Sequence, residues 1–402
     1  MITPAILLAG GRLASFLLAL LQLALIARLP AGTPGVVLLH MGIMTALGTA
    51  IDLGTGQALL RLCAADAGRG AGSLSSRSRA LVRTALRLRF RLALAFTPAH
   101  LLLVLLLADH TTFLLPAAVC LLPVQALGAT RTPFVLQARP LPLAGTRLAG
   151  GSLALVGTAL LKGAGVAAPG PYLALHAAGL ALGHLWLWRL SGLPLRGPVE
   201  PLATLLPQSL LLGLGTLVRS LYYHGDTLLV RLLAGPVEVD LYAACYRLFS
   251  AATLLPDALG ELLLAPLTRG GKGTPRTSWL TLTALGTVPL GLGFFLAAPL
   301  LVLCCGDRYA GSAPTLRLLL LAALMVHPAA LHITRALAAG RLGAILVLSL
   351  AGLALTVLLC LLLVPDLGAA GAAWATLATE MVVLAGAALV ARSGRSRKGK
   401  RR

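Results

Sequence analysis

Long stretches without a charged side chain constrain this chain more than any other feature. The stretch from Ala344 to Val364 and the stretch from Leu13 to Ala27 contain no Asp, Glu, Lys or Arg. A helix needs roughly 20 apolar residues to cross the hydrocarbon core of a bilayer, whereas a membrane-spanning strand needs only about 10. The stretches therefore predict membrane-spanning helices. Since 58% of the 402 residues are hydrophobic and only 11% are charged, one soluble core is too small to bury them.

Apolar segments separated by charged or Pro/Gly-rich breaks recur along the whole chain. They predict an all-α integral membrane protein with about twelve transmembrane helices. The predicted spans are residues 5–27, 35–56, 92–108, 112–130, 146–161, 170–188, 205–230, 241–265, 279–303, 313–334, 342–364 and 369–390. This pattern predicts an N-terminal six-helix lobe at 1–190, a linker at 191–204, a C-terminal six-helix lobe at 205–391 and a basic tail at 392–402.

Positive charge is distributed unequally between the two sides of these spans. With a cytoplasmic N-terminus, the inward segments and the tail carry 25 of the 33 Lys and Arg residues. The outward segments carry four, which are Arg28, Lys162, Arg231 and Arg308. Cytoplasmic loops of membrane proteins are enriched in cations. The pattern predicts that both termini are cytoplasmic, that the inward cations contact anionic membrane lipids, and that the net charge of +21 does not indicate a nucleic-acid partner.

Motifs that carry catalytic or metal-binding chemistry are not found in the sequence. The six cysteines show no metal-type spacing, and no CxxC pair, His-x-x-x-His pair or Gly-rich phosphate loop is present. Nothing resembles a Ser-His-Asp constellation either. The sequence therefore predicts no catalytic residue, no metal and no cofactor, and we do not expect an enzyme. Without an ATP-binding domain, energy for directional movement would come from an H⁺ or Na⁺ gradient or from consumption of the product.

A short internal repeat relates the two halves of the chain. Residues 27–32 (ARLPAG) resemble residues 230–235 (VRLLAG) at an offset of 203. After two residues of slippage, Asp52 corresponds to Asp257. Repeats of this kind build many membrane transporters. The repeat predicts two pseudo-symmetric six-helix bundles.

Three groups of residues, in order along the chain, carry a resemblance to a known family. They are Ala27-Arg28-Leu29 with Asp52-Leu53-Gly54, then Asp226-Thr227-Leu228-Leu229 with residues 241–248, and finally residues 364–376. In these residues the chain resembles polysaccharide (oligosaccharide) flippases of the Wzx type, in the MOP exporter superfamily. The resemblance covers essentially the whole chain.

The resemblance implies a MOP/MATE-like fold and a specific kind of transport. A protein of this type flips a lipid-linked oligosaccharide, carried on undecaprenyl pyrophosphate, across the cytoplasmic membrane by alternating access. The product serves the biosynthesis of cell-surface polysaccharide such as lipopolysaccharide. The implied location is the inner (cytoplasmic) membrane, crossed many times. Polysaccharide polymerase or glycosyltransferase machinery is the implied protein partner.

Ionisable residues inside the predicted spans are the candidate substrate-binding residues. An Arg near the centre of a membrane helix costs about 2.5–3.5 kcal/mol on insertion scales, so such residues usually face protein or a wet cavity. Guanidinium groups bind phosphate oxygens through two parallel hydrogen bonds. We therefore expect Arg12 and Arg219, on the first helix of each half, to contact the pyrophosphate. The full candidate set is Arg12, Asp52, Arg219, His224, Asp226, Arg247 and Asp257.

Each of these residues also has a purely structural interpretation. In this interpretation, Arg219 would pair with Asp226, or Arg247 with Glu261, and the pair would hold helices together. Asp52 and Asp257 cap or break helices near the inner surface. His224 is a hydrogen-bonded packing residue.

Two other functions remain open at this point. A MATE-type antiporter expels small cations and needs carboxylates in its cavity, whereas the mid-membrane charge here leans towards Arg, which favours an anionic substrate. A membrane polysaccharide polymerase or ligase needs a sizeable outward loop, and every predicted outward loop has only about ten residues or fewer.

Overall fold

The structure is a computed structural model that describes residues 2–31, 33–67, 74–107, 122–137, 139–268 and 287–399. Within these ranges the chain forms α-helices and two 3-10 segments, and no β-strand occurs. The described α-helices are α1 (Ile2–Ile26), α2 (Thr33–Asp52), α3 (Thr55–Ala67), α4 (Ser76–Leu107), α5 (Thr132–Leu136), α6 (Pro140–Gly163), α7 (Pro169–Ser191), α8 (Leu202–Thr268), α9 (Thr287–Phe295), α10 (Ala297–Cys305), α11 (Ala313–Ala338) and α12 (Leu342–Gly399). The all-α prediction is confirmed.

Length and apolar composition mark several helices as membrane-spanning. Within the described ranges, four segments are long and apolar enough: Thr33–Asp52, Leu141–Gly163, Asp307–Ala338 and Leu342–Ala391. The pair α9 and α10, bent by 85°, qualifies as a fifth if it is one broken span.

The last of these segments is 50 residues long, which at 1.5 Å per residue is about 75 Å and enough for two crossings. Large apolar side chains such as Val347 and Leu362 are exposed along it, as on a surface that faces lipid. The chain is thus a multi-pass membrane protein.

Glycines interrupt the two longest helices. The backbone leaves the helical conformation at Gly235 in α8 (φ 88°) and at Gly368 in α12 (φ 54°). Positive φ strains residues that carry a Cβ but not glycine. The ten-residue connection predicted after residue 230 is therefore helical on both sides of a single kink. The two kinks are joined by a hydrogen bond. The Ala369 N–H, which follows the kink in α12, donates to a carboxylate oxygen of Glu238, which follows the kink in α8, at 2.8 Å.

The second and third predicted spans have different limits in the structure. The helix predicted at 35–56 ends at Asp52, because Leu53 (φ 42°) and Gly54 (φ 68°) turn the chain into α3. The span predicted at 92–108 belongs to α4, which already begins at Ser76 because the preceding Arg-rich stretch is helical. Part of the predicted cytoplasmic loop is therefore the first half of a long helix.

The chain divides into two compact units, unit 1 (Met1–Ser220) and unit 2 (Leu221–Arg402). In unit 1, α6 packs against α1 and α7. The α6–α7 contact is close, since a Cβ added to Gly150 would lie 2.4 Å from the carbonyl oxygen of Gly179. In unit 2, α11 packs along α12. The six-helix lobes and their pseudo-symmetry remain predictions.

Candidate functional site

A buried polar group occupies the turn between α2 and α3 in unit 1. Asp52 Oδ1 accepts hydrogen bonds from the Gly56 N–H and the Thr55 hydroxyl, both at 3.1 Å, so its side chain caps the start of α3. Arg89, from the middle of α4, forms an ion pair with the same carboxylate and donates from Nε to Thr55 Oγ1 at 2.6 Å. We call Asp52, Thr55 and Arg89 the elbow cluster.

The elbow cluster compensates both an intramembrane charge and a broken helix. The side chain of Arg89 is 5% exposed and that of Asp52 is 33% exposed. Backbone that leaves the helical pattern inside a membrane protein needs hydrogen-bond partners within the protein. Asp52 therefore follows the structural interpretation, as a helix cap with a cationic partner, while its carboxylate keeps partial access to the surroundings.

A polar face of the 3-10 segment Leu122–Arg131 borders the elbow cluster. A Cβ added to Gly128 would lie 3.2 Å from Arg89 Nη1 and 3.5 Å from His184 Nε2. Three residues per turn place Arg131 on the same face, and its side chain is exposed. His184 Nδ1 is buried and has no hydrogen-bond partner among the residues that the structure describes. Arg89, Arg131 and His184 thus lie near one polar face of this 3-10 segment.

A second buried polar group lies in unit 2. Its residues come from the parts of α8 before and after Gly235 and from the part of α12 after Gly368. Tyr242 donates a hydrogen bond to Asp226 Oδ2 at 2.5 Å and contacts Thr376 Oγ1 at 3.2 Å. Tyr222 donates to Glu380 Oε1 at 2.5 Å. We call these five residues the tyrosine–carboxylate cluster. Asp226 is 2% exposed and Glu380 is 1% exposed.

Helical spacing brings the tyrosine–carboxylate cluster together. Tyr222 and Asp226 are four residues apart, and Thr376 and Glu380 repeat that spacing, so each pair shares one helix face. The rings of Tyr242 and Tyr246, also four residues apart, lie 5.6 Å from each other, and Tyr246 continues to Phe249 at 5.2 Å. Each of the two carboxylates therefore accepts a hydrogen bond from a tyrosine, and further aromatic rings pack beside Tyr242.

The charge of Asp226 has no cationic compensation in the described part of the structure. Its hydrogen-bond donors are the Tyr242 hydroxyl and the N–H and hydroxyl groups of Thr227. No ion pair joins it to Lys or Arg among the described residues. An uncompensated buried carboxylate is costly, and a bound proton or cation removes that cost. Among the same residues, no three His, Cys, Asp or Glu side chains are grouped closely enough for a metal ion.

The other predicted residues differ in how far their side chains are buried. Arg219 is exposed, whereas His224 and Arg247 are half-buried. Arg219 belongs to the end of unit 1, whereas Asp226 and its hydrogen-bond donors belong to unit 2.

Two predicted residues lie on described helices, but their side chains lie outside the described part of the structure. These are Arg12 on α1 and Asp257 on α8. The predicted symmetry between Asp52 and Asp257 therefore stays a prediction, as does the role of Arg12.

Sequence reasoning missed several residues of both clusters. Arg89 is counted among the cations between two predicted spans, because the sequence did not show that this Arg-rich stretch and the following span form one continuous helix. Glu380 was recognisable as an ionisable residue inside a predicted span but was not included in the candidate set. Tyr222 and Tyr242 lie in apolar stretches, and their only signal was a spacing of four residues from another polar side chain.

Known structures share this architecture along nearly the whole chain. The inward-facing form of a multidrug-resistance MATE-family transporter of the MOP superfamily superposes with a TM-score of 0.74 at 14% identity, over 98% of this chain and 99% of that chain. The lipid II flippase MurJ, in an inward closed conformation, gives 0.70 at 13% identity, over 95% and 86%. The chain has the fold of the MOP-superfamily transporters.

A third match with the MOP fold is a transporter from Pyrococcus furiosus whose binding pocket is described as having reverse polarity. It gives a TM-score of 0.65 at 15% identity, over 98% of this chain and 94% of that chain. No protein-family model and no curated protein matches the sequence. The resemblance in the sequence motifs is thus confirmed for the MOP fold, and the Wzx type remains a prediction.

Proposed function

We propose that this protein is a transporter that flips a lipid-linked oligosaccharide, carried on undecaprenyl pyrophosphate, across the cytoplasmic membrane. Alternating access moves the substrate for cell-surface polysaccharide biosynthesis. A MurJ flippase with the same fold supports a lipid-linked substrate, and the Pyrococcus furiosus match indicates that pocket polarity differs among proteins of this fold. The charge of the side chains must therefore select the substrate.

The exposed charge along α8 carries this proposal. Arg219 lies 17 residues beyond Leu202 and 16 residues before the break at Gly235, so it is midway along this part of the helix, and its side chain is exposed. Asp226, further along the same helix, is buried and bonded to Tyr242. An Arg side chain that faced lipid at this depth would be costly, so we assign Arg219 to a water-filled path, where it binds the pyrophosphate.

The tyrosine–carboxylate cluster is the proposed site of the coupling ion. Asp226 and Glu380 are buried beside tyrosine hydroxyls, and such oxygens bind either H⁺ or Na⁺. Uptake of one cation neutralises a buried charge in unit 2 and thereby changes the relative stability of its conformations. Loading and release of this ion would then alternate with movement of the anionic substrate.

The decisive experiment compares the binding of an anionic and a cationic ligand to the wild type and to variants of Arg219. Purified protein in nanodiscs is titrated with undecaprenyl pyrophosphate and, separately, with the cation tetraphenylphosphonium. The Arg219→Ala variant loses one charge-assisted phosphate contact. It should therefore bind undecaprenyl pyrophosphate more weakly than the wild type by about 1.5–3 kcal/mol, on the order of 10- to 100-fold. Arg219→Lys should recover part of the loss, because an ammonium cannot form the planar bidentate contact.

Arg79→Ala is the matched control, since Arg79 is an exposed arginine near the start of α4. It should bind undecaprenyl pyrophosphate like the wild type. In cells that make a surface polysaccharide through this protein, Arg219→Ala should accumulate lipid-linked precursor on the cytoplasmic face at normal membrane abundance. Full export by Arg219→Ala would contradict the proposed role of this residue.

A MATE-type cation antiporter is the second candidate, favoured by one observation. Two buried carboxylates in an aromatic enclosure, Asp226 and Glu380, also suit an organic cation. This candidate predicts that tetraphenylphosphonium binds, that undecaprenyl pyrophosphate does not, and that Arg219→Ala leaves binding intact. The same titrations therefore separate the two functions.

A further inference from the structure

The connector between the sixth and seventh predicted spans is held by side chains of α4. Arg83 donates from Nε to the Pro194 carbonyl at 3.2 Å and from Nη1 to the Pro198 carbonyl at 3.0 Å. One residue later, the Thr84 hydroxyl donates to the Glu200 carbonyl at 2.8 Å. One helical turn beyond Arg83, Arg87 Nη2 reaches the Gly197 carbonyl at 3.5 Å. We call residues 193–200 the strap.

Burial separates the anchoring side chains from ordinary surface cations. Arg83 is 8% exposed and Thr84 is 6% exposed. A Cβ added to Gly197 (φ 138°) would lie 2.9 Å from the guanidinium carbon of Arg83. The guanidinium therefore lies directly against the strap backbone, at a position where only glycine combines this φ with such close approach.

The composition of the strap complements these donors. Pro194 and Pro198 have no N–H, so the strap offers backbone carbonyls that lack regular partners. Arg83 and Thr84, adjacent residues of α4, supply the missing donors. At the other end, Trp188 Nε1 donates to the Leu193 carbonyl at 3.0 Å, which ties the strap to α7. Carbonyl oxygens of the strap thus accept hydrogen bonds from both α4 and α7.

We propose that the strap is a fixed part of unit 1, anchored by Arg83 and Thr84, and does not act as a flexible tether between the halves of the protein. The Pro/Gly-rich composition permits a docked, extended conformation whose carbonyls are accessible to α4. The basic stretch of α4 accordingly has an intramolecular function in addition to its contribution to topology.

Limited trypsin digestion in detergent tests this anchoring without any assay of transport. Arg196 is an exposed residue in the strap, and a cut after it produces two fragments of about half the mass, which mass spectrometry identifies. A protease cuts a site in proportion to how often the site opens. We expect Arg83→Ala to be cut after Arg196 at least about tenfold faster than the wild type, which corresponds to roughly 1.4 kcal/mol in the opening equilibrium.

Two further variants make the result decisive. Thr84→Val keeps the size of the side chain and removes one donor, so it should accelerate the same cut by a smaller factor while the helix stays intact. Arg79→Ala removes an exposed arginine of the same helix and should be cut at the wild-type rate.

The cleavage rates support or overturn the proposal. Acceleration by Arg83→Ala and Thr84→Val, but not by Arg79→Ala, supports a docked strap. Wild-type cleavage rates in both anchoring variants, or rapid cleavage after Arg196 in the wild type itself, would show that the strap is a free tether. If Arg83→Ala does not fold, the cleavage rate of Thr84→Val relative to that of Arg79→Ala distinguishes a docked strap from a free tether.

Discussion

Asp226 and Asp52 are carboxylates of the same protein in opposite electrostatic situations. Asp52 is paired with Arg89 and is partly exposed. Asp226 is buried, and its donors are uncharged groups of Tyr242 and Thr227. An ion pair inside a membrane protein holds helices together, whereas a carboxylate without a cation favours exchange with protons or Na⁺. The contrast favours a structural role for Asp52 and supports the ion exchange that we propose for Asp226.

Asp226→Asn is expected to remove the response of the protein to ions. Asn keeps an oxygen that accepts from Tyr242 but carries no charge. Because a proton or Na⁺ neutralises the buried carboxylate, acidification or added Na⁺ should raise the melting temperature of the wild type. Asp226→Asn should melt no lower than the wild type in Na⁺-free neutral buffer and should show no such rise. An unchanged response to both ions in Asp226→Asn would remove Asp226 from the ion site.

Arg89→Ala is expected to destabilise unit 1. Breaking a fully buried ion pair from one side costs about 3–5 kcal/mol, and we expect about 2–3 kcal/mol here, because Asp52 is 33% exposed and its charge is partly screened by solvent. Adding Asp52→Asn to Arg89→Ala should restore part of this loss, since the unpaired carboxylate disappears. Chemical unfolding in detergent measures all three variants. Additive losses would mean that the two side chains do not act as a pair.

A close backbone contact with α8 fixes the turn between α2 and α3. The turn at Gly54 lies against α8, where a Cβ on Gly213 would lie 2.3 Å from the Leu53 carbonyl carbon. Backbone atoms cannot move aside as the end of a flexible side chain does. The left-handed turn after α2 and the small residue in α8 are therefore required together.

Gly213→Ala and Gly215→Ala form a matched pair that tests this contact. Both glycines lie inside α8, but a Cβ on Gly215 would meet no atom of the described residues within 4 Å. Gly213→Ala should destabilise the protein by about 1–3 kcal/mol or more through the clash with Leu53. Gly215→Ala should be neutral or stabilising by about 0.5–1 kcal/mol, because alanine is the better helix former. Thermal unfolding of both variants in one detergent gives the comparison, and equal melting temperatures would contradict the contact.

Orientation in the membrane is a property of the whole molecule, and it rests on charge. The predicted inward segments and the tail hold 25 Lys and Arg residues, against four on the predicted outward side. Cations near helix ends resist translocation across the membrane. Since the strap's anchors come from the same basic stretch, an inward location also places the strap on the cytoplasmic side.

Single cysteines in a cysteine-free variant test this orientation. Arg79→Cys and Ser396→Cys should not react with an impermeant thiol reagent in intact cells, and both should react after the membrane is permeabilised. Ala164→Cys, at an exposed position in the predicted outward loop after α6, should react without permeabilisation. Labelling of Arg79→Cys or Ser396→Cys in intact cells would reverse the predicted topology.

Local features of the chain were readable without coordinates. Uncharged apolar stretches such as residues 344–364 predicted helices because hydropathy depends on neighbouring residues alone. The kinks at Gly235 and Gly368 were not predicted, since a glycine between apolar stretches is equally compatible with a loop. The continuity of α4 from Ser76 to Leu107 was not predicted, because its Arg-rich stretch has the composition of a segment outside the membrane.

Pairings between distant residues depended on the folded chain. Arg219 and Asp226 were both recognisable as intramembrane charges, but their burial differs although they lie two helical turns apart. Arg89 meets Asp52, and Tyr242 meets Asp226 and Thr376, only because separate helices pack with particular faces together. Charge and spacing along the chain therefore set the membrane class and the candidate residues, whereas helix packing determined which of those charges are compensated inside the protein and which remain exposed.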